Sequence, residues 1–498
     1  MSAPQPASTV TRAQFLHLFV AVFLPMFMAA VDQTLLATAT PAIAATLGGL
    51  RDTSWIMVGY LLASATVVPV YGRLGDRRGR RDMLLVALAV FTAGSLACGV
   101  AQSFGELVAA RVLQGLGGGG LMTLSQALIG ELVVPRERVR FQMWFALIFT
   151  ASSIAGPVIG GIVVSHASWR WLFLANLPLA AFAAWRLMRL PGSERAPKRG
   201  GGIDLAGHLL FAVGALALLY WLTSGGHRFA WRSTESFAFA ATGAVALAAL
   251  YFHERRLPAP FLPIDLLGQR AIAMLALVVT LFAACLFAVI FYLPIYLQLG
   301  RSFSPQSSGL LLLPVTAGMV VAAQTASRIL ARSGRPHWIP VIGMALAASA
   351  LVLLGVLPPS LPLTVALGFL AGAGFGTVMP TTNLTVQTVA GRERLGAATA
   401  IVALARSTGG AAGAALFGAV VFAMLPEGID AARSGGDAAE LTAAFHRGFL
   451  LTGCVAALAA FAASRIPHIE LWPARGPPVS GPPLQRGSGA IERRTERE

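Results

Sequence analysis

Charge is scarce in this chain. Only 12% of its 498 residues are Asp, Glu, Lys or Arg, about half of the roughly 25% that a soluble domain carries. A water-facing globular protein of this length is therefore excluded. Lysine is nearly missing: Lys198 stands alone among 37 basic residues. The net charge of +16 would suggest nucleic acid if the arginines formed one patch, but they alternate between rich and poor breaks along the chain. Cysteine is just as sparse. Cys98, Cys285 and Cys454 are far apart and lie in apolar runs, which excludes a disulfide framework and leaves them as small core hydrophobes. No metal-ligand spacing or nucleophile elbow occurs. The glycine run in GLGGGG, 115–120, follows no strand and precedes no Lys-Ser/Thr pair, so it is no phosphate loop. An enzyme or an ATP-driven pump lacks its chemistry here, and no cofactor or metal is expected. The first apolar run is too long for a cleavable signal peptide, and another follows soon after.

What the chain has instead is apolar residues, 56% of the total. They come in blocks of roughly 20, and about 20 apolar residues cross the ~30 Å hydrocarbon core as a helix. The blocks predict an all-α integral membrane protein with fourteen transmembrane helices. The first six run near 14–40, 55–73, 83–102, 105–130, 141–164 and 169–188. Two follow at 205–223 and 236–252, and six more at 271–298, 307–330, 338–357, 362–389, 396–424 and 447–465. The tail from Pro467 is rich in proline, glycine and charge and reads as disordered.

The arginines test that count. With the N-terminus in the cytoplasm, outside loops hold 7 basic residues: Arg51, Arg170, Arg228, Arg232, Arg301, Arg433 and Arg447. Arg111 and Arg406 lie within spans, and the other 28 of the 37 are inside. Such a bias sets orientation, with both termini cytoplasmic in a bacterial inner membrane. One missed span would invert every later loop.

A faint internal repeat divides the chain. GRLGDRRGRR, 72–81, follows span 2, and SRILARSGRP, 327–336, follows span 10. Aligning Gly79 with Gly334 aligns Arg80 with Arg335 and Arg77 with Arg332, while Ala331 replaces Asp76. GPVIGG in span 5 has a weaker echo in GGAAG of span 13. The expected organisation is a six-helix bundle over 1–190, two inserted helices within 191–265, a second six-helix bundle over 266–466, and a cytoplasmic tail over 467–498.

GRLGDRRGRRDML, Gly72 to Leu84, is the most specific motif. Gly72 and Gly79 suit a tight turn between two helices. Asp76 suits a helix start and pairing with arginine. The segment resembles the signature loop of the major facilitator superfamily, and its gating residues are then Gly72, Asp76, Arg77, Gly79, Arg80 and Arg81. VDQTLLATATPAIAATLG, from Val31, is similar to the first-helix motif of the fourteen-helix drug:proton antiporter branch. It matches at Asp32, Thr34 and Pro41 and lacks the usual asparagine. ARVLQGLGGGG, from Ala110, looks like the fourth-helix motif and supplies Arg111, Gln114 and Gly115. SIAGPVIGGIV, from Ser153, looks like the antiporter motif of helix 5, with Gly156, Pro157, Gly160 and Gly161. Its small residues let a second helix pack close, and Pro157 opens the hydrogen-bond ladder. SWRWLFLANLP and FYLPIYLQLGRSFSPQSSGLLLLP also resemble this branch. The resemblance implies two bundles that rock around a central site and export hydrophobic or cationic drugs in exchange for protons. The Gly72–Leu84 loop then holds the inner ends of the bundles together. Lipid, protons and small substrates are the implied partners, without nucleic acid; a periplasmic adaptor stays open. So do an exporter of one metabolite, siderophore or lipid, and a membrane sensor or scaffold that carries nothing.

Asp32 is the one acidic residue of 21 well inside a span. An ionised carboxylate in hydrocarbon costs several kcal/mol, so it needs a partner or a wet cavity. Asp32 is about 26 Å up helix 1 and about 5 Å below the outer edge, and Arg111 is about 9 Å below the same edge. The two can meet if helices 1 and 4 touch, making them the expected proton-coupling pair. Arg406 is a second buried charge near the midplane. Tyr60, Gln114, Trp144, Phe149, Tyr292, Tyr296, Gln324 and Asn383 are the further candidates to line a substrate cavity with it, since aromatic and amide groups suit adaptable recognition.

Overall fold

The computed structural model describes residues 12–49, 52–132, 148, 151–152, 155–190, 204–225, 228–257, 264–357, 360–391, 395–424 and 438–469. Among them, 13 helices are long and apolar enough to cross a membrane. They are α1 (Phe19–Leu47), α2 (Ser54–Gly75), α3 (Arg80–Val100), α4 (Phe104–Ile129), α6 (Trp171–Met188), α7 (Leu205–Ser224), α8 (Thr234–Glu254), α9 (Arg270–Gly300), α10 (Pro305–Leu330), α11 (Trp338–Val356), α12 (Leu361–Ala390), α13 (Ala400–Ala423) and α14 (Glu440–Ser464). The shorter apolar helix Ala155–His166, α5, takes the place of the fifth span. Residues 141–147, the start of the expected fifth span, and the tail from 470 lie outside the described residues.

Two six-helix bundles and an inserted pair result. In the first bundle α4 packs on α1, α2 and α3, and α6 on α1 and α3. In the second, α9 packs on α13 and α14, α10 on α12, and α11 on α12 and α14. The inserted α7 and α8 pack on each other, and α7 also touches α2 and α13. Lipid gives apolar helices no reason to leave it for one another, so association needs close backbone approach. Glycine provides it. Gly115 of α4 lies on the Tyr60 backbone of α2, Gly117 on the Phe91 backbone of α3, and Gly413 of α13 on the Ala284 backbone of α9. A methyl at any of these would meet main-chain atoms.

The repeat has a structural counterpart. Beyond its apolar span the α2 helix continues to Arg78 and ends at Gly79 with φ 101°, and the α10 helix continues to Ser333 and ends at Gly334 with φ 64°; both are left-handed positions that favour glycine. Each donates the same bond four residues back, to Gly75 O and Leu330 O, both at 2.9 Å.

The first span extends further than the sequence suggested. The expected span ends at 40, whereas the helix runs on to Leu47 with Pro41 inside it, as well as Pro25. A transmembrane helix tolerates proline because neighbours re-satisfy the freed backbone. Gln298 of α9 donates to Thr38 O at 3.1 Å just before Pro41. This contact joins the two bundles, and two others cross at the same level. Gly309 of α10 lies against the Pro157 carbonyl of α5, and Gly418 of α13 against Ser54 of α2. All three lie near the end of the bundles where α1 ends and α2 begins, so the two bundles touch there in this structure.

Candidate functional site

Asp32 is 1% exposed, and Arg111 and Gln114 are 0% exposed. The last two are three apart on α4, so they share the helix face that meets α1. Arg111 Nη1 donates to Asp32 Oδ2 at 2.5 Å, and Gln114 Nε2 donates to Asp32 Oδ1 at 2.8 Å. Arg111 Nη1 also donates to Gln114 Oε1 at 2.5 Å. The three side chains thus close a ring in which both carboxylate oxygens are occupied. A second layer holds the ring in place. Arg111 Nε donates to Ile56 O at 3.1 Å, and its guanidinium stacks 4.3 Å over the Tyr60 ring. Gln114 Nε2 also donates to Ser95 Oγ at 2.8 Å, and Asn176 Nδ2 donates to the same oxygen at 3.3 Å. Cys98 Sγ donates to Gln114 Oε1 at 3.6 Å. Arg111 Nη2 is buried with no hydrogen-bond partner among the described residues.

This arrangement has a chemical consequence. Each carboxylate oxygen accepts one bond and has a further lone pair, so it is burial, at 1% exposure, that keeps solvent and ligands from Asp32 in this structure.

Tyr60 and Gln114, expected along a cavity, belong to this ring and its support. Tyr292 and Tyr296 are 0% and 1% exposed, so neither has surface to offer a cavity in this structure. Tyr292 stacks on Phe417 with ring centroids 4.5 Å apart, and Tyr296 packs against Phe445 and Phe449. Their apolar rings fill the second bundle, which explains the difference from the sequence expectation. Gln324 is exposed on α10, and Asn383 is half-buried on α12. Arg406 is half-buried on α13. Trp144, Phe149 and the Asp76 side chain lie outside the described residues.

Gly79 makes the one-residue turn between α2 and α3. The arginines beyond it bind helix ends of their own bundle. Arg80 Nη1 donates to Ala127 O of α4 at 2.8 Å. Arg81 donates through Nε to Leu187 O at 2.9 Å and through Nη2 to Met188 O at 2.7 Å. Arg77 is exposed and Gly72 is within α2. On α5, Gly156 lies against Thr34, Gly160 against Leu35 and Thr38, and Gly161 against Pro305 of α10. Thr34 Oγ1 donates to Ser152 O at 3.0 Å, and Thr38 Oγ1 to Pro157 O at 3.5 Å. The α5 motif therefore sits where α1 and α10 meet.

Ser95, Cys98 and Asn176 escaped the sequence reading. Their only signal is polarity in an apolar helix, which serine and cysteine often show without function.

The family model described as Major Facilitator Superfamily matches residues 22–414. The chain belongs to that superfamily. It is 33% identical over 407 residues, 81% of this chain and 75% of the relative, to the multidrug transporter protein MdtP of Bacillus subtilis. It is 30% identical over 391 residues, 76% of this chain and 69% of the relative, to the efflux pump FUS6 of Gibberella moniliformis. The crystal structure of a D-xylose-proton symporter has the same fold, with a TM-score of 0.63 over 92% of this chain and 98% of that one, at 16% identity. The chain is thus a multi-pass membrane transporter of this superfamily.

Proposed function

We propose that this transporter is a proton-coupled antiporter that exports hydrophobic small molecules, with Asp32 as the proton carrier and Arg111 as its counter-charge. The closed ring of Asp32, Arg111 and Gln114 is the observation that carries the reading. Multidrug export is in keeping with the name of the Bacillus relative. A carboxylate held by a guanidinium stays ionised at low cost inside hydrocarbon. Protonation removes the negative partner and leaves Arg111 with a buried, uncompensated charge, which α1 and α4 relieve by rearranging. A single group whose protonation cancels its charge pairing suffices to tie the proton cycle to the rocking of two bundles.

The Gly72–Leu84 loop has a supporting part. Arg80 and Arg81 fix it to α4 and α6, so it moves as a rigid cap of the first bundle and presents Arg77 to the second. The arginine distribution supports a bacterial inner-membrane location with both termini cytoplasmic.

The test is proton-linked efflux in proteoliposomes. Wild-type protein should expel a lipophilic dye when an inward proton gradient is imposed and should dissipate that gradient as it does so. Asp32→Asn should do neither. Gradient-driven efflux at the wild-type rate from Asp32→Asn would end this reading.

A further inference from the structure

Positive charge gathers at the end of α6. Arg186 and Arg189 share the indole of Trp185, with their guanidinium carbons 5.7 Å and 4.0 Å from its ring centroid. Arg81 of the Gly72–Leu84 loop joins them through its bonds to Leu187 O and Met188 O. Arg81 thereby satisfies the last carbonyls of the helix. Arg186 and Arg189 have no such task. Neither side chain has a hydrogen-bond or ion-pair partner among the described residues, and like charges one turn apart on a helix repel. An apolar stripe leads up to them. Leu179, Phe182 and Trp185 recur at every third residue and are all exposed, and the Phe182 and Trp185 rings lie 5.7 Å apart. The other face, with Ala180, Ala183 and Leu187, is buried, and α6 packs on α1 and α3. The stripe therefore faces hydrocarbon. The apolar span ends at Met188, which puts the two guanidinium groups at the level of the lipid headgroups.

We infer that this end of α6 docks one anionic phospholipid of the adjacent leaflet, with its phosphodiester between Arg186 and Arg189 and an acyl chain along the stripe. Charge complementarity carries the assignment. Two cations held on one indole without a counter-charge call for an anion, and the bilayer supplies one at that depth. A planar guanidinium grips a phosphate with two parallel bonds. Stacking on Trp185 holds both arginines in place beforehand, so less side-chain freedom is lost when the lipid arrives. A zwitterionic headgroup carries its own ammonium, which meets like charge here. The site also touches the signature loop. Arg81 hangs on carbonyls of the same turn, so a lipid that orders this turn orders the Gly72–Leu84 loop as well. The inference is independent of the cargo and of proton coupling.

The experiment uses the full chain in detergent micelles and follows thermal unfolding as lipid is added. Phosphatidylglycerol and phosphatidylcholine with the same acyl chains are the probes. Phosphatidylglycerol should raise the unfolding temperature at a lower lipid-to-protein ratio than phosphatidylcholine. The double variant Arg186→Gln with Arg189→Gln should need roughly 10- to 30-fold more phosphatidylglycerol for half the effect, with its response to phosphatidylcholine unchanged. The pair at the end of α8, Arg255→Gln with Arg256→Gln, is also exposed and should leave that midpoint where it was. A second measurement needs no variant, which covers a double variant that does not fold. Phosphatidylglycerol with a photoreactive group at the top of one acyl chain should label wild-type residues 179–189, and excess unlabelled phosphatidylglycerol, but not phosphatidylcholine, should suppress the label. An unchanged midpoint in the α6 variant, an equal shift in the α8 variant, or no label on 179–189 overturns the inference. Stabilisation by inorganic phosphate at the concentration where the lipid acts also overturns it, because the arginines then take a free anion.

Discussion

Asp32→Asn is more damaging than its size suggests, because the ring has no place for an amide. Asp32 accepts on both oxygens, one bond from Arg111 and one from Gln114. Asparagine offers one acceptor and one donor. With its oxygen toward Arg111, its nitrogen faces the Gln114 amide nitrogen. Turning the Gln114 amide over moves the conflict to Arg111, whose Nη1 now faces a nitrogen instead of Oε1. Either orientation leaves two donors in contact and the guanidinium without its counter-charge. Breaking a buried pair from one side costs about 3–5 kcal/mol. The cation–π contact with Tyr60 and the bond to the Ile56 carbonyl are made in both forms, so they do not reduce that loss. The double variant Asp32→Asn with Gln114→Glu should recover most of it. The new carboxylate at position 114 accepts from Arg111 and from the new amide nitrogen at position 32, and the Ser95 hydroxyl turns to donate. The assay is denaturant unfolding of the detergent-solubilised protein, alongside proton-linked efflux. Stability should fall in the single variant and return in the double one, while efflux stays lost in both, since the titrating group has moved from α1 to α4. An unchanged unfolding midpoint in Asp32→Asn, or a double variant no more stable than the single, refutes the ring argument.

Three further outcomes are expected. Gly160→Ala places a methyl 2.5 Å from the Leu35 carbonyl and from Thr38 Oγ1, so it should cost about 1–3 kcal/mol and slow efflux, whereas Ala155→Gly should not. Arg81→Ala removes two bonds to the last carbonyls of α6 and should cost about 1–3 kcal/mol, read as earlier thermal unfolding; Arg77→Ala, on an exposed side chain, should leave the unfolding temperature unchanged. Asp204 caps α7 through the Gly207 amide and accepts from His253; burial pushes its carboxyl up, but these two bonds outweigh that and hold it below the usual carboxylate value. Its stabilising effect is therefore present above the ordinary pKa of about 3.9 and is lost as pH falls through the lower folded value, so an acid titration of unfolding should separate wild type from Asp204→Asn at neutral pH and bring them together in strong acid.

Much of the fold was legible because hydrocarbon imposes one rule, a long apolar helix, and thirteen of the fourteen blocks follow it among the described residues. The first boundary, at 40, falls too early, because a proline inside a transmembrane helix is tolerated and the helix continues through Pro41 to Leu47. The meeting of Asp32 and Arg111 followed from depth along two helices. Gln114 was found but placed wrongly in space, along a cavity rather than in the ring. A glutamine one turn from an arginine says that both face the same way, and not what they face. Ser95 and Asn176 come from two further helices, and nothing in their local sequence announces that they converge. Arg80 and Arg81 were read as gating residues of the Gly72–Leu84 loop, which the family resemblance implies. That they also cap α4 and α6 depends on tertiary distances no spacing encodes.

The inserted pair leans on both halves. Trp55 of α2 packs on Tyr220 of α7 with ring centroids 6.1 Å apart, and Arg228 reaches Asp52 at 2.6 Å. The same α7 packs on α13 of the second half. The hairpin therefore lies across the seam where α2 and α13 meet, like a shutter. Compounds dissolved in the bilayer find that flank covered, and any tilting of the halves has to drag the hairpin along or slide beneath it.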